Sequence, residues 1–475
     1  LTTTTASAPT LMGQDRAIYR PLLWLIPLAL LHGLLFLAIV PPWQHYDEPT
    51  QFEYAWLIAN RDHMPALEES DQTLRREVAD SMYRFRFYPP GQQPDLISPE
   101  APLLGANQRV HPPLYYILAA LPLRLTSGIA IEQQLYCARA LSLGFYVLTI
   151  VAVWRVATVV VPDEPLMQLA VPLLLLLTPT FVDLMTAVNS DVLVNFCAVT
   201  LFLGCTLLLR DGLGPAPLAL STLALGVAVS TKRTAVILIP IYLLSLLWAW
   251  RRTPLRPWAI VGTVLAASLA IALASLDLGH ADDGTILLTV RPWLAQIDSS
   301  YLRLGLDAWV RSATNTTQAG GIYQLLLVVG FTSFWARFGW GNVIIGAWAD
   351  WMLAGICILC GVGLLIQARR GRGLMSLWQK RCIWLFLIAV VLGILSMIAR
   401  IYPLPAPGVI PYIPRGRYIF TMMLPVIWLI ALGWQGLLPD RWKPRGPFLL
   451  LGIWLGLDII SWGGTLVGYY YRFTL

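Results

Sequence analysis

The string VPPWQHYDEPTQFEYAWLIAN sets Asp47 and Glu48 side by side, seven residues past an apolar run at 22–40. A carboxylate where a membrane helix leaves the bilayer can take a proton from a hydroxyl presented at that surface. General base catalysis of this kind is worth roughly 10² to 10⁴ in rate. Neighbouring side chains of an extended segment point in different directions, so one carboxylate acts as base and the other positions. Most adjacent Asp-Glu pairs in loops are simply solvated. Here Pro41, Pro42 and Pro49 constrain the segment, and Trp43, Tyr46, Phe52, Tyr54 and Trp56 surround it. That setting favours Asp47 as the base, with Glu48 in support.

Three other polar clusters fall in apolar surroundings. AVNSDVLVN carries Asn189 and Asp191, VSTKRTA carries Lys232 and Arg233, and PYIPRGRYIFTMM carries Arg415, Arg417 and Tyr418. A Lys point charge beside a planar Arg fork suits phosphate oxygens. The same pair also suits a headgroup anchor that snorkels to the interface, and both readings stay open. Arg415 and Arg417 could neutralise a second part of a phosphate or pyrophosphate, or an acidic sugar. Asp183 lies near the Asn189 turn, whereas His32 and Asp458 sit deeper in their runs and could simply be paired within the bundle.

The elements that must position these groups are membrane helices. With 57% hydrophobic and 12% charged residues, the chain is too apolar for a soluble domain. Its 20 Trp and 18 Tyr fit interfacial belts. The net charge of +7 matches basic cytoplasmic loops and predicts no nucleic-acid partner. The six cysteines fall mostly in apolar runs, and the Cys357–Cys360 pair has no His or carboxylate nearby to complete a metal site. The expected class is all-α, with about 11 spans at 22–40, 140–161, 166–188, 192–209, 218–229, 235–250, 259–276, 351–366, 383–398, 418–437 and 448–467.

HPPLYYILAALPLRL, residues 111–125, decides the topology. If it lies in the interface, the basic turns around Arg251, Arg369, Lys380 and Arg441 share the side of Arg16 and Arg20, as the positive-inside rule requires. This gives a cytoplasmic tail at 1–21, a seven-span module at 22–276 with an outer loop at 41–139, a second outer loop at 277–350 and a four-span module at 351–475. GIYQLLLVVGFTSFWARFGWGN in the second loop, with Trp335 and Trp340, predicts another interfacial helix.

The order of these parts resembles the GT-C membrane glycosyltransferases that use polyprenyl-phosphate sugars. The parts are the Asp47-Glu48 pair, the His-Pro-Pro-Leu-Tyr-Tyr helix with His111 and Tyr115, then Ala138-Arg139-Ala140. Asn189-Ser190-Asp191, Thr231-Lys232-Arg233 and Arg415-Gly416-Arg417-Tyr418 follow in the same order. The chain is most similar to a bacterial branch related to protein O-mannosyltransferases and lipid A aminoarabinose transferases. The resemblance implies an inverting transfer to an acceptor hydroxyl, with Asp47 as base and Lys232, Arg233 and Arg417 as donor phosphate ligands. Asn189 and Asp191 would line the site, with His111 and Tyr115 at its rim and Arg139 and Asp183 nearby. It further implies the bacterial cytoplasmic (inner) membrane, an extracytoplasmic active face and a polyprenyl-phosphate lipid among the bound membrane lipids.

Some relatives use a divalent metal and others none, and the sequence offers no ligand set for one. The sequence also has no Gly-rich phosphate loop for a nucleotide. The rival expectation is a non-catalytic subunit of the same fold that binds lipid and scaffolds partner subunits. A transporter would need polar groups at mid-membrane and paired broken helices, whereas these clusters collect at one face.

Overall fold

The computed structural model describes residues 21–88, 104, 107–251, 262, 319–370, 375–399 and 414–471, with side chains from 326 onward in the third long stretch. The chain is a multi-pass bundle of helices. Among the described residues eight helices are long and apolar enough to cross a membrane, or nine if one bent pair is a single span. The expectation of about 11 spans differs from this count for two reasons. Pro215–Val229 is only 15 residues long, and the run at 259–276 lies, but for residue 262, outside the described residues.

In chain order the first half holds α1 (Leu22–Ile39), α2 (Glu48–Asn60), α3 (Gln72–Arg84), α4 (Leu114–Leu125) and α5 (Ile131–Val160). It continues with α6 (Pro165–Leu176), α7 (Pro179–Met185), α8 (Ser190–Asp211), α9 (Pro215–Val229) and α10 (Leu238–Trp250). The second half holds α11 (Ala319–Trp335), an antiparallel hairpin of β1 (Arg337–Phe338) and β2 (Val343–Ile344), α12 (Ala347–Arg369) and α13 (Leu377–Ala399). A 3-10 turn (Gly416–Met422) runs into α14 (Met423–Leu437), and α15 (Gly446–Ile459) continues through a π-helical stretch to α16 (Val467–Tyr471).

Three local features direct the chain toward one end of the bundle. The thirty residues of α5 rise about 45 Å, roughly 15 Å more than a hydrocarbon core. Its first turns, with Glu132 and Arg139, therefore have length to spare beyond the apolar layer. The span expected at 166–188 is broken at Leu177–Thr178, because Pro179 cannot continue the helix and biases Thr178 to an extended conformation. The resulting 66° bend turns α7, with Asp183, off the axis of α6. Asn189 caps α8, its side-chain oxygen accepting the Asp191 amide at 2.9 Å.

The helix beginning at Leu114 does not stand free of the protein: Tyr115, Tyr116, Ala119 and Leu123 are buried. Residues 319–335 form the expected second-loop helix, but its end packs into the bundle. Trp335 is 2% exposed and meets Trp454 edge to face, so it is a core residue and not an interface anchor. Within the second half two helices approach closely where α12 crosses α14, and a Cβ on Gly433 would collide with the Cys360 backbone. Small residues at such crossings let backbones touch.

Candidate active site

At the end of the bundle marked by the last turn of α1 and the first turns of α5 and α8, the two adjacent carboxylates separate completely. Glu48 is fully buried. Its oxygens accept Arg139 Nε at 2.8 Å and Nη2 at 2.6 Å, the Trp43 amide at 3.0 Å and the Val188 amide at 3.2 Å. A carboxylate has about four acceptor sites, so none is left for a substrate proton. Burial alone would raise its pKa, but the Arg139 charge and these donors hold it below the ordinary carboxylate range.

Arg139 also donates to the carbonyls of Val40 at 2.8 Å and Pro41 at 3.0 Å. The pair thus staples the end of α1 and the Val188 turn to α5. Glu48, expected in support of Asp47, thus has every acceptor site engaged in holding the fold, and Arg139, expected to line the site, is fully buried against it.

Asp47 sits at the N-cap of α2 with φ 54°, in the left-handed region that L residues seldom adopt. Asp commonly caps helices with its side chain, yet this one makes no cap hydrogen bond. Its carboxylate instead meets Arg417 Nη2 at 2.5 Å. Backbone strain combined with a declined cap is the kind of local rule-breaking that clusters at functional sites.

Arg417 lies over Tyr46, its Cζ 3.8 Å from the ring centroid, and Arg415 approaches the same ring at 4.8 Å. Tyr46 in turn stacks on Trp340, whose carbonyl accepts Arg415 Nη1 at 2.6 Å. Burial pushes the Tyr46 phenol up to about 12, so it stays neutral. Nε and Nη1 of Arg417 are buried without a hydrogen-bond partner among the described residues. An anion could use those donors.

A second expected cation, Lys232, is also capped. Lys232 donates to Asp191 Oδ1 at 2.6 Å, and Asp191 Oδ2 is left without a partner. Arg233 is exposed beside it. His111 lies within electrostatic reach of Lys232, Asp191, Arg233 and Asp47. Burial first, and Lys232 second, lower its pKa from 6.5 to about 4. Tyr115, expected at the rim, is instead fully buried, because its hydroxyl is engaged by the Asn189 amide at 2.8 Å and Ser142 at 3.1 Å. Asn189 is buried too and donates to the Tyr46 carbonyl at 3.1 Å. Tyr418 is half-buried next to Arg417.

Three residues at this end were not among those singled out. His45 Nδ1 lies 3.1 Å from Asp183 Oδ1, at ion-pair distance but off hydrogen-bond geometry. Those two, Tyr46 and Arg337 line a cavity of about 30 Å³ together with Arg415 and Arg417. Room for a water exists there, but none for a sugar. A His-Tyr immediately before Asp47 was the available sequence signal; Arg337 carried none. Among the described residues no three His, Cys, Asp or Glu side chains gather as a metal-holding group.

Residues 110–275, about a third of the chain, match the family described as dolichyl-phosphate-mannose-protein mannosyltransferase. No curated protein matches the chain. Two crystal structures of the Archaeoglobus fulgidus oligosaccharyltransferase, one tethered to an acceptor peptide and one in the apo form, align at 12% identity. Their TM-scores are 0.44 and 0.45, covering 92% and 93% of this chain but 54% and 55% of theirs. The chain thus spans about half the length of that enzyme. The GT-C resemblance carried by the motif order is supported independently over residues 110–275, the stretch that supplies His111, Arg139, Asn189, Asp191 and Lys232.

Proposed function

We propose that the protein is a membrane glycosyltransferase that moves a sugar from a polyprenyl-phosphate donor to an acceptor hydroxyl with inversion. The observation that carries this reading is the Asp47–Arg417 pair at 2.5 Å, set beside Lys232–Asp191 at one end of the bundle. One carboxylate, a buried Lys232, a largely buried Arg417 and unused guanidinium donors are the groups such a transfer requires. The acceptor oxygen attacks the anomeric carbon while Asp47 takes its proton. The bond from that carbon to the donor phosphate oxygen breaks on the opposite face, and the phosphate keeps the electron pair. Arg417, Lys232, Arg415 and Arg233 stabilise the charge that grows there.

The donor and acceptor face would be extracytoplasmic in a bacterial cytoplasmic membrane, where a pre-activated lipid donor removes the need for a nucleotide. The match of residues 110–275 to mannosyltransferases that use a lipid-phosphate sugar supports this donor class.

Both cations are held by carboxylates, and that single fact favours a second reading, a lipid-binding subunit that serves a larger complex without catalysis. The test is release of polyprenyl phosphate from a panel of polyprenyl-phosphate sugars by the purified chain in liposomes. Turnover by the wild type that falls roughly 10² to 10⁴-fold in Asp47→Asn, at unchanged melting temperature, is the expected result. Equal turnover of the two proteins would remove Asp47 as base, and no turnover by either would leave the subunit reading.

A further inference from the structure

The opposite end of the bundle holds a second and larger cavity that plays no part in the transfer. It lies where α5 ends, α6 begins, α12 ends, α13 begins and α14 ends, and its volume is about 430 Å³. Ligand sites fall in the range of roughly 300 to 1,000 Å³, with apolar walls and a few placed polar groups. The walls here include Met167, Ile383, Trp428, Leu432 and Pro447. Arg370 and Lys443 stand among the lining residues, from the end of α12 and the turn before α15.

We propose that this cavity binds an acidic glycerophospholipid whose headgroup carries a hydroxyl, of the phosphatidylglycerol type. Charge argues for the anion. Against the two cations the lining has one carboxylate, Glu164, which is exposed. Lys443 touches Asp440 at 2.8 Å, but Asp440 is 74% exposed and such a surface pair holds weakly. Arg369, Arg441 and Arg445 are exposed at the same end, as at a face held against anionic lipid. Basic pockets between membrane helices hold phospholipid headgroups by this combination.

Gln367 argues for the hydroxyl. It lines the cavity, and its side-chain carbonyl oxygen is buried with no hydrogen-bond partner among the described residues. A glycerol headgroup supplies the missing donor, whereas a choline headgroup has none. Acyl chain would then cover the apolar wall formed by Trp428 and Leu432.

The test uses the full chain purified in detergent and dioleoylphosphatidylglycerol or dioleoylphosphatidylcholine added in mixed micelles. Retained lipid is counted by native mass spectrometry, and thermal unfolding is followed in parallel. Wild type should retain the glycerol lipid in preference to the choline lipid and unfold at a higher temperature with it. R370Q/K443Q should lower the glycerol-lipid affinity roughly 30-fold, at about 1 kcal/mol per charge, and leave the choline lipid unaffected. Leu432→Trp, which fills the cavity but keeps both cations, should abolish the preference; if it is retained there, the cations act as a bare surface and the cavity site is overturned. Equal retention of the two lipids by wild type overturns the proposal, as does protection by glycerol 1-phosphate alone that matches the intact lipid.

Discussion

Replacing Glu48 with Gln leaves the fully buried Arg139 guanidinium without its counter-charge. Breaking a buried pair on one side costs on the order of 3 to 5 kcal/mol, because the surviving charge stays desolvated. Glu48→Gln should therefore lower the melting temperature and the yield of folded protein. Adding Arg139→Met should recover part of that loss, and a double-mutant cycle with no recovery would show that the pair is not what holds the loop. Asp47→Asn makes the contrasting case, since Asp47 is partly exposed and its loss should act on turnover. His111 titrates in a third way. Its pKa is about 4 in the fold and about 6.5 in the unfolded chain, so the unfolded chain binds the extra proton between those values. The neutral imidazole's contribution is complete above pH 6.5 and lost as pH falls toward 4, by up to about 3 kcal/mol. Melting temperatures measured across that window should drop more steeply for wild type than for His111→Gln; parallel curves would assign the acid sensitivity to other groups.

At the scale of elements, Arg417 is aimed by a glycine beside it. The Gly416 amide donates to Ser333 Oγ at 2.7 Å, and a Cβ at Gly416 would strike the backbone of α11 at Gly330 and Phe334. Gly416→Ala must push the 3-10 turn outward and carry Arg417 away from Asp47. A misplacement near 1 Å costs on the order of 10² in rate, so turnover should fall by about that factor although no charged group is altered. Gly452→Ala, where a Cβ meets nothing within 4 Å, is the control, and equal activity in both would refute the coupling. Much of this arrangement was legible in the sequence. The apolar runs gave the spans, and the proline and charge pattern isolated Asp47, Lys232 and Arg417. What was not legible depends on contacts between distant residues. The local setting favours Asp47 as base but does not show which carboxylate is buried; Arg139, 91 positions after Glu48, decides that. Tyr46 acquires its role only from Arg417 and Arg415, and Tyr115 is drawn inside by the Asn189 amide.

On the scale of the whole molecule, the site has no complete copy in either half of the chain. Asp47, Asp191 and Lys232 come from the first half, and Arg415 and Arg417 from the last quarter, while the hairpin bearing Trp340 lies against Tyr46. For the proposed transfer, two of the cations offered to the donor phosphate, Arg417 and Lys232, are each bound to a carboxylate, and the proposed base Asp47 is masked by the first of these contacts. A donor phosphodiester brings one negative charge that competes with Asp47 for Arg417 and can engage the unused Nε and Nη1. As the leaving phosphate gains its second charge, Arg417 is drawn to it more strongly and Asp47 is freed to take the acceptor proton. An acceptor arriving first would meet a base already occupied. Binding should therefore be ordered, donor before acceptor. A dead-end acceptor analogue should inhibit uncompetitively with respect to donor, and a non-transferable donor analogue competitively. Mixed inhibition by the acceptor analogue would mean that acceptor binds the free enzyme, and the masking of Asp47 by Arg417 would then have no part in the cycle.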